Sequence, residues 1–152
     1  MKKILLLLLA GISYHAHAQY GTVNAVLERL EERHGINQNL ADVNLDNAKF
    51  VLIKDFDGHT ERNFLILRGK EATYVEMFDD KQNGQTTSNV FTGDAVRAQH
   101  NLLSLRADKL EGQKIALPLT KTLMLTRQKK TLYLIDINTR ERWIEESALN
   151  KK

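Results

Sequence analysis

The fold is predicted from the segment KFVLIKDFDGHTERNFLILR, which covers residues 49–68. Two runs rich in β-branched, aromatic and leucine residues flank the dipeptide Asp57-Gly58. Asp-Gly suits the type I′ turn of two-residue hairpins, because both central positions of that turn need a positive φ. The segment therefore predicts a β-hairpin whose turn lies at Asp57-Gly58.

The register of this hairpin follows from the position of the turn. Lys54 is then expected to lie opposite Glu61. In the same register Val51 is expected to lie opposite Phe64. Pairs of opposite charge and pairs of apolar side chains both stabilise antiparallel strands, so turn chemistry and side-chain pairing agree.

Seven further segments have the composition and alternation of short strands, and turn-forming residues separate them. They cover residues 71–79, 85–92, 102–107, 114–119, 122–127, 131–137 and 141–146. We therefore predict an α+β fold that is mostly antiparallel β, a meander of about eight or nine strands in a curved or barrel-like sheet. The pattern leaves open whether this sheet closes into a barrel.

An amphipathic helix is predicted near the N-terminus. Val23, Val26, Leu27 and Leu30 follow the spacing i, i+3, i+4 and i+7, which places them on one face of a helix. A stripe this narrow is typical of a helix that lies on a sheet.

The segment 94–111 has conflicting signals. Its composition favours a helix that Asp94 could cap, whereas the alternation around Leu103 and Leu105 favours a strand. We predict a short helix from Asp94 to about His100 and a strand over residues 102–107.

Residues 1–18 have the organisation of a bacterial-type secretory signal peptide, with two lysines, an apolar run and a small-residue cleavage site ending at Ala18. Cleavage leaves residues 19–152, which fit one globular domain. The apolar run is shorter than the roughly 20 residues that a membrane-spanning helix needs. We therefore expect a periplasmic or secreted protein with no transmembrane segment in its mature chain.

The sequence indicates no catalytic or metal site. The chain contains no cysteine, which excludes disulfide bonds, thiol catalysis and thiolate metal sites. His34, His59 and His100 fall in separate predicted segments, and no Gly-x-Ser-x-Gly elbow or Gly-rich phosphate loop is present. We therefore expect a protein that is not an enzyme and holds no cofactor.

Positive charge is concentrated in the C-terminal part of the chain. Residues 19–112 contain 11 Lys and Arg against 15 Asp and Glu, whereas residues 113–152 contain 9 against 4. Trp and Arg are enriched in interface hot spots, so this region predicts a surface for an acidic partner. The candidate partner-binding residues are Arg127, Lys129, Lys130, Arg140, Arg142 and Trp143. An ordinary solvated surface, with Trp143 packed in the core, is the alternative.

These observations favour an exported binding protein, inhibitor-like or immunity-like, that binds another protein in the cell envelope. One alternative is a carrier of an apolar or lipid-like ligand in the curved sheet or barrel. A second is a hydrolase whose site is assembled from distant residues. Nucleic acid is not an expected partner, because no recognition motif accompanies the basic residues.

Overall fold

A computed structural model of the protein describes residues 40–98 and 101–149. These residues belong to one structural unit, Asn39–Lys152. The predicted signal peptide (residues 1–18) and the predicted N-terminal helix lie outside the described residues, and both therefore stay predictions.

The described residues form a closed, antiparallel, eight-stranded barrel in which each strand pairs with the next along the chain. The strands are β1 (Lys49–Asp55), β2 (His59–Arg68), β3 (Glu71–Asp80), β4 (Thr86–Ala98), β5 (Leu102–Leu110), β6 (Gln113–Gln128), β7 (Thr131–Asp136) and β8 (Arg142–Glu145). A single helical turn, α1 (Glu146–Leu149), follows β8. The prediction of a mostly antiparallel meander is confirmed.

Closure comes from a pairing between the first and last strands. Phe50 of β1 lies opposite Glu145 of β8, and Val51 lies opposite Ile144. Because β1 pairs with β2 on its other side, no strand of the described barrel keeps a free edge. The question that the sequence left open is answered in favour of a barrel.

The predicted register of the first hairpin is confirmed, whereas its predicted turn type is wrong. Lys54 lies opposite Glu61, and Val51 lies opposite Phe64. Neither Asp57 nor Gly58 is among the residues with a positive φ, so the turn is not type I′. The side-chain pairs, rather than a left-handed turn, therefore carry the register.

The predicted helix from Asp94 is wrong over residues 94–98, because β4 continues to Ala98. Strand alternation turns Ala95 into the core, and ladder pairing with Leu105 holds it there. Residues 99 and 100 lie outside the described residues. Tertiary pairing has overridden local helix propensity in this segment.

The predicted strands 114–119 and 122–127 form one long strand, β6. The register between β5 and β6 shifts after Ala107, and Pro118 lies within the irregular part of β6. Proline cannot donate a ladder hydrogen bond, so it interrupts the strand pattern without ending the strand.

The core of the barrel consists of apolar side chains. The largest fully buried ones are Trp143, Phe50, Leu40, Leu65, Leu105, Leu123, Leu125 and Leu134. Leu40 comes from the segment before β1 and belongs to the same core cluster. The guanidinium of Arg97 donates hydrogen bonds to the carbonyl oxygens of Leu40 and Val43, which fixes this segment at one end of the barrel.

Candidate functional site

The two ends of the barrel carry different turns and segments, and we call them the base end and the tip end. The base end holds the segment 40–48 and the turns at 69–70 and 129–130. The tip end holds four turns of the described chain, at residues 56–58, 81–85, 111–112 and 137–141. Consecutive strands of a meander run in opposite directions, and this alternation places the two sets of turns at opposite ends.

Toward the tip end the inner wall of the barrel changes from apolar to charged. Lys121 lies opposite Leu105, and Asp136 lies opposite Leu123, so both charged residues share the face of fully buried leucines. We call the charged residues of this wall the charged layer. Its members are Lys54, Glu61, Glu76, Lys121, Asp136 and Glu141.

Asp136 and Lys121 form the deepest pair of the charged layer. The Nζ of Lys121 lies 3.4 Å from Oδ2 of Asp136 and 5.3 Å from the ring centre of Tyr74. Oδ1 of Asp136 accepts hydrogen bonds from the backbone N–H groups of Asn138 and Thr139, at 2.9 and 3.1 Å. This carboxylate therefore serves the structure of the β7–β8 turn, and its oxygens are already satisfied.

Tyr74 also keeps a fixed protonation state. Its hydroxyl donates a 3.1 Å hydrogen bond to the carboxylate of Glu76. Burial, reinforced by the negative charge of Glu76, raises the pKa of Tyr74 well above its ordinary value. The phenol therefore remains neutral and acts as a hydrogen-bond donor.

Lys54 bridges two carboxylates at the outer edge of the charged layer. Its ammonium forms ion pairs with Glu141 and, at 3.4 Å, with Glu61. The hydrogen bond to Glu141 raises the pKa of Lys54 above its ordinary value, although desolvation opposes the shift. Burial would raise the pKa of Glu141, but hydrogen bonds from Lys54 and Thr139 outweigh it and hold that pKa below its usual range.

An open groove of about 440 Å³ lies at the tip end, between the β1–β2 and β3–β4 turns. We call it the tip groove. The residues that line it are Gly58, His59, Phe78, Asp80, Gln82, Gln85 and Thr87. Lys81 ties the two turns together, since its Nζ lies 2.7 Å from Oδ1 of Asp55 and its N–H donates to the carbonyl oxygen of Gly58 at 3.1 Å. The groove therefore has a defined shape.

Large apolar side chains are exposed at the tip end, two of them at this groove. Phe78 lines it, and Phe56 stacks on the imidazole of His59 with ring centres 4.6 Å apart. Ile137, in the β7–β8 turn, and Leu117, in β6, are also exposed at the tip end. Exposed aromatic and aliphatic side chains at one end of a barrel favour a protein-binding surface there.

The basic residues predicted from the sequence do not form one patch. Lys129 and Lys130 lie exposed at the base end, beside Arg127, whereas Arg140 lies in the turn at the tip end. Strand β7 separates the two groups. Lys129 and Arg140 both have a positive φ, at 56° and 65°, which is unusual for residues other than glycine or asparagine.

Arg142 and Trp143 lie on opposite faces of β8. Arg142 is exposed, its guanidinium lies 3.7 Å from the ring centre of Tyr133, and it donates a hydrogen bond to Gln128. Trp143 is fully buried inside the barrel, with its ring centre 5.7 Å from that of Tyr74. The structure thus places Trp143 in the core, which was the alternative to a surface hot spot.

Sequence reasoning missed the tip groove and the exposed Leu117. The groove needs two turns that are distant in the chain, and no local pattern places them together. The exposure of Phe56 could have been inferred from its position. It directly precedes a hairpin turn, and connecting segments lie on the protein surface.

Within the parts of the chain that the structure describes, no three His, Asp or Glu side chains are grouped so as to hold a metal ion. Among the same residues, no helix combines the length and the hydrophobicity needed to cross a membrane. Compared with known protein families, curated proteins and solved structures, the chain matches none of them.

Proposed function

We propose that the protein is an exported binding protein that recognises another protein in the cell envelope through its tip end. Its role would be inhibitor-like or immunity-like, in which binding itself is the activity. The single observation that carries this proposal is the exposure of large apolar side chains, Phe56, Phe78, Leu117 and Ile137, at one end of the barrel.

The packed apolar core favours protein binding over carriage of an apolar ligand. Small barrels that carry a ligand leave a cavity inside. In this barrel Trp143, Phe50 and the leucines of the core cluster pack together in the interior. Above them the charged layer lines the wall, and an apolar molecule entering from the tip end would have to displace paired charges such as Lys121 and Asp136.

The charged layer also favours binding over hydrolysis. A catalytic carboxylate needs a free oxygen and a pKa matched to its task. Asp136 is engaged by two backbone N–H groups and a lysine, and Glu141 is engaged by Lys54. These carboxylates therefore have structural roles that account for them.

The tip end has features of a binding surface beyond its apolar residues. The stack of Phe56 on His59 and the ties made by Lys81 hold the groove in shape before any partner arrives. Association with a preformed surface loses less conformational entropy than association with a flexible one. Gln82 and Gln85 supply amide donors and acceptors at its rim.

The proposal is tested by capture from an envelope extract of the source cells with three immobilised forms of residues 19–152. These are the wild type, a Phe56→Ser/Phe78→Ser variant, and a control, Val96→Ser/Leu149→Ser, which removes two exposed apolar residues away from the tip end. We expect one protein to be retained by the wild type and the control and lost from the tip variant. Equal recovery by all three forms, or no retained protein, would contradict the proposal.

A further inference from the structure

The β5–β6 hairpin carries an irregular projection at the tip end. Ala107 lies opposite Leu119, but the next pair is Lys109 opposite Lys114. Asp108 alone therefore faces the four residues 115–118 on β6. We call residues 108–118 the arm. An excess of residues on one strand bends that strand and re-aims its side chains, and such bulges occur often at barrel rims.

The arm presents an apolar side chain to solvent. Leu117 is 87% exposed, the largest exposure among the exposed large apolar residues of the described chain. Pro118 follows it, and a proline restricts the backbone of the residue before it to extended conformations. Leu117 therefore stands on a stiff part of the strand. A single exposed leucine is common on protein surfaces and does not by itself mark a binding site.

A second observation is a pair of lysines in the arm, between Leu117 and the β5–β6 turn. Lys109 and Lys114 are both exposed and lie directly opposite each other in the ladder. Like charges in this position destabilise a sheet. Neither lysine forms an ion pair with any residue of the described chain, 40–98 and 101–149. Bound carboxylates from another molecule would relieve this repulsion.

The arm is also held in place. The N–H of Glu111 donates to the carbonyl oxygen of Val90, and the N–H of Val90 donates to the carboxylate of Glu111, each at 2.8 Å. At its root, β4 and β5 approach so closely that a Cβ on Gly93 would lie 2.1 Å from the carbonyl oxygen of Arg106. A glycine is therefore required at position 93. The arm is preorganised, as an interface anchor should be.

We propose that the arm anchors a partner protein by inserting Leu117 into an apolar pocket whose rim carries carboxylates that pair with Lys109 and Lys114. This inference rests on the proposed function and adds the chemistry of the partner. The lysines attract the acidic rim over a distance of about 8–10 Å, which raises the association rate. Leu117 holds the bound complex and so lowers the dissociation rate.

The test places the photo-crosslinking amino acid p-benzoylphenylalanine at position 117, with position 96 as the control because Val96 is also exposed. We expect crosslinks from position 117 alone, mapped by mass spectrometry to an apolar pocket flanked by Asp or Glu in another protein. Crosslinks from both positions, crosslinks to a second copy of this chain, or no crosslink would each overturn the inference.

Binding kinetics with the crosslinked protein give a second measurement. Leu117→Ala should raise the dissociation rate about tenfold or more, as expected for an anchor residue. Lys109→Glu/Lys114→Glu should slow association and weaken its dependence on salt, whereas the control Arg68→Glu/Lys70→Glu, at the base end, should not. Unchanged rates in both arm variants would overturn the inference.

The two proposals can fail separately. Binding that is lost in Phe56→Ser/Phe78→Ser but retained in Leu117→Asp would leave the proposed function standing and reject the arm as anchor. Retention of the partner by both variants would reject the tip end itself. Circular dichroism on each variant shows whether the barrel is intact, and all of these substitutions are at exposed positions.

Discussion

The ammonium of Lys121 lies 3.4 Å from the carboxylate of Asp136 on the inner wall of the barrel, at the level where the apolar core ends. The carboxylate is almost fully buried and also holds the turn that follows β7. A buried ion pair contributes little net stability, but removal of one partner leaves the other charge uncompensated. This asymmetry makes Asp136 a sensitive position.

Asp136→Ala should lower the free energy of unfolding by about 2–4 kcal/mol, because it leaves two backbone N–H groups and Lys121 without their acceptor. Asp136→Asn should cost less, since the amide oxygen can still accept from Asn138 and Thr139. Urea denaturation of the three proteins measures both effects. Equal losses in the two variants would show that the charge, rather than the turn, is what matters.

The burial of Trp143 leads to a spectroscopic and an energetic expectation. It is the only tryptophan in the chain, so fluorescence reports on it alone. We expect blue-shifted emission that iodide does not quench until the protein unfolds. Trp143→Ala should cost about 3–5 kcal/mol, as large core truncations do. Trp143→Phe should cost much less, since the indole N–H meets no acceptor among the described residues.

The first hairpin could be predicted because its information is local. The pairs Lys54–Glu61 and Val51–Phe64 can be read from the residue types on either side of one turn. Closure could not be predicted in the same way. Closure depends on the pairing of Val51 in β1 with Ile144 in β8. The sequence of neither strand identifies the other strand as its partner.

The candidate site was less predictable than the fold. The predicted binding surface rested mainly on basic residues, and the structure separates Lys129 from Arg140 by the length of β7. Trp143 lies in the core because strand alternation places it opposite Leu134, which faces inward. The exposure of Leu117 depends on a register shift between β5 and β6, which residue composition does not encode.

Two turns at the tip end are built alike and allow a matched test of backbone strain. Gly84 and Arg140 occupy equivalent positions, with φ of 69° and 65°, and each N–H donates to the carbonyl oxygen of an aspartate four residues earlier. Arg140→Gly should raise the free energy of unfolding by about 0.5–1 kcal/mol, because glycine adopts this conformation without steric cost.

The reverse change, Gly84→Arg, should lower the free energy of unfolding by about 1 kcal/mol. A Cβ at position 84 would meet no atom within 4 Å, so the effect isolates the backbone. Thermal denaturation of both variants measures the difference. Opposite signs are expected, and two changes of the same sign would contradict this account of the turns.

The predicted signal peptide is tested by intact-mass measurement of the protein from its native host. Cleavage after Ala18 should give a chain that begins at Gln19. A chain that retains Met1 in the envelope fraction would instead indicate an uncleaved segment. This measurement also decides whether capture experiments should use residues 19–152.

The pair formed by Lys54 and Glu141 predicts how stability depends on pH. The pKa of Glu141 is lowered from 4.5, so its contribution is present above pH 4.5 and is lost as the pH falls through the lower, folded-state pKa. The pKa of Lys54 is raised from 10.5, so its contribution is present below pH 10.5 and is lost as the pH rises through the higher, folded-state pKa. The pair therefore stabilises the barrel most between these limits.

Glu141→Gln should lower the free energy of unfolding at pH 7 by about 1 kcal/mol or less, since the pair is partly exposed to solvent. The difference between wild type and variant should shrink below pH 4.5, where the carboxylate becomes protonated in the wild type as well. Glu71→Gln, at an exposed position, is the matched control and should show little difference at either pH. Urea denaturation at pH 7 and at pH 3 measures these differences. If the Glu141→Gln difference is the same at both pH values, the carboxylate stabilises the barrel through its shape rather than its charge.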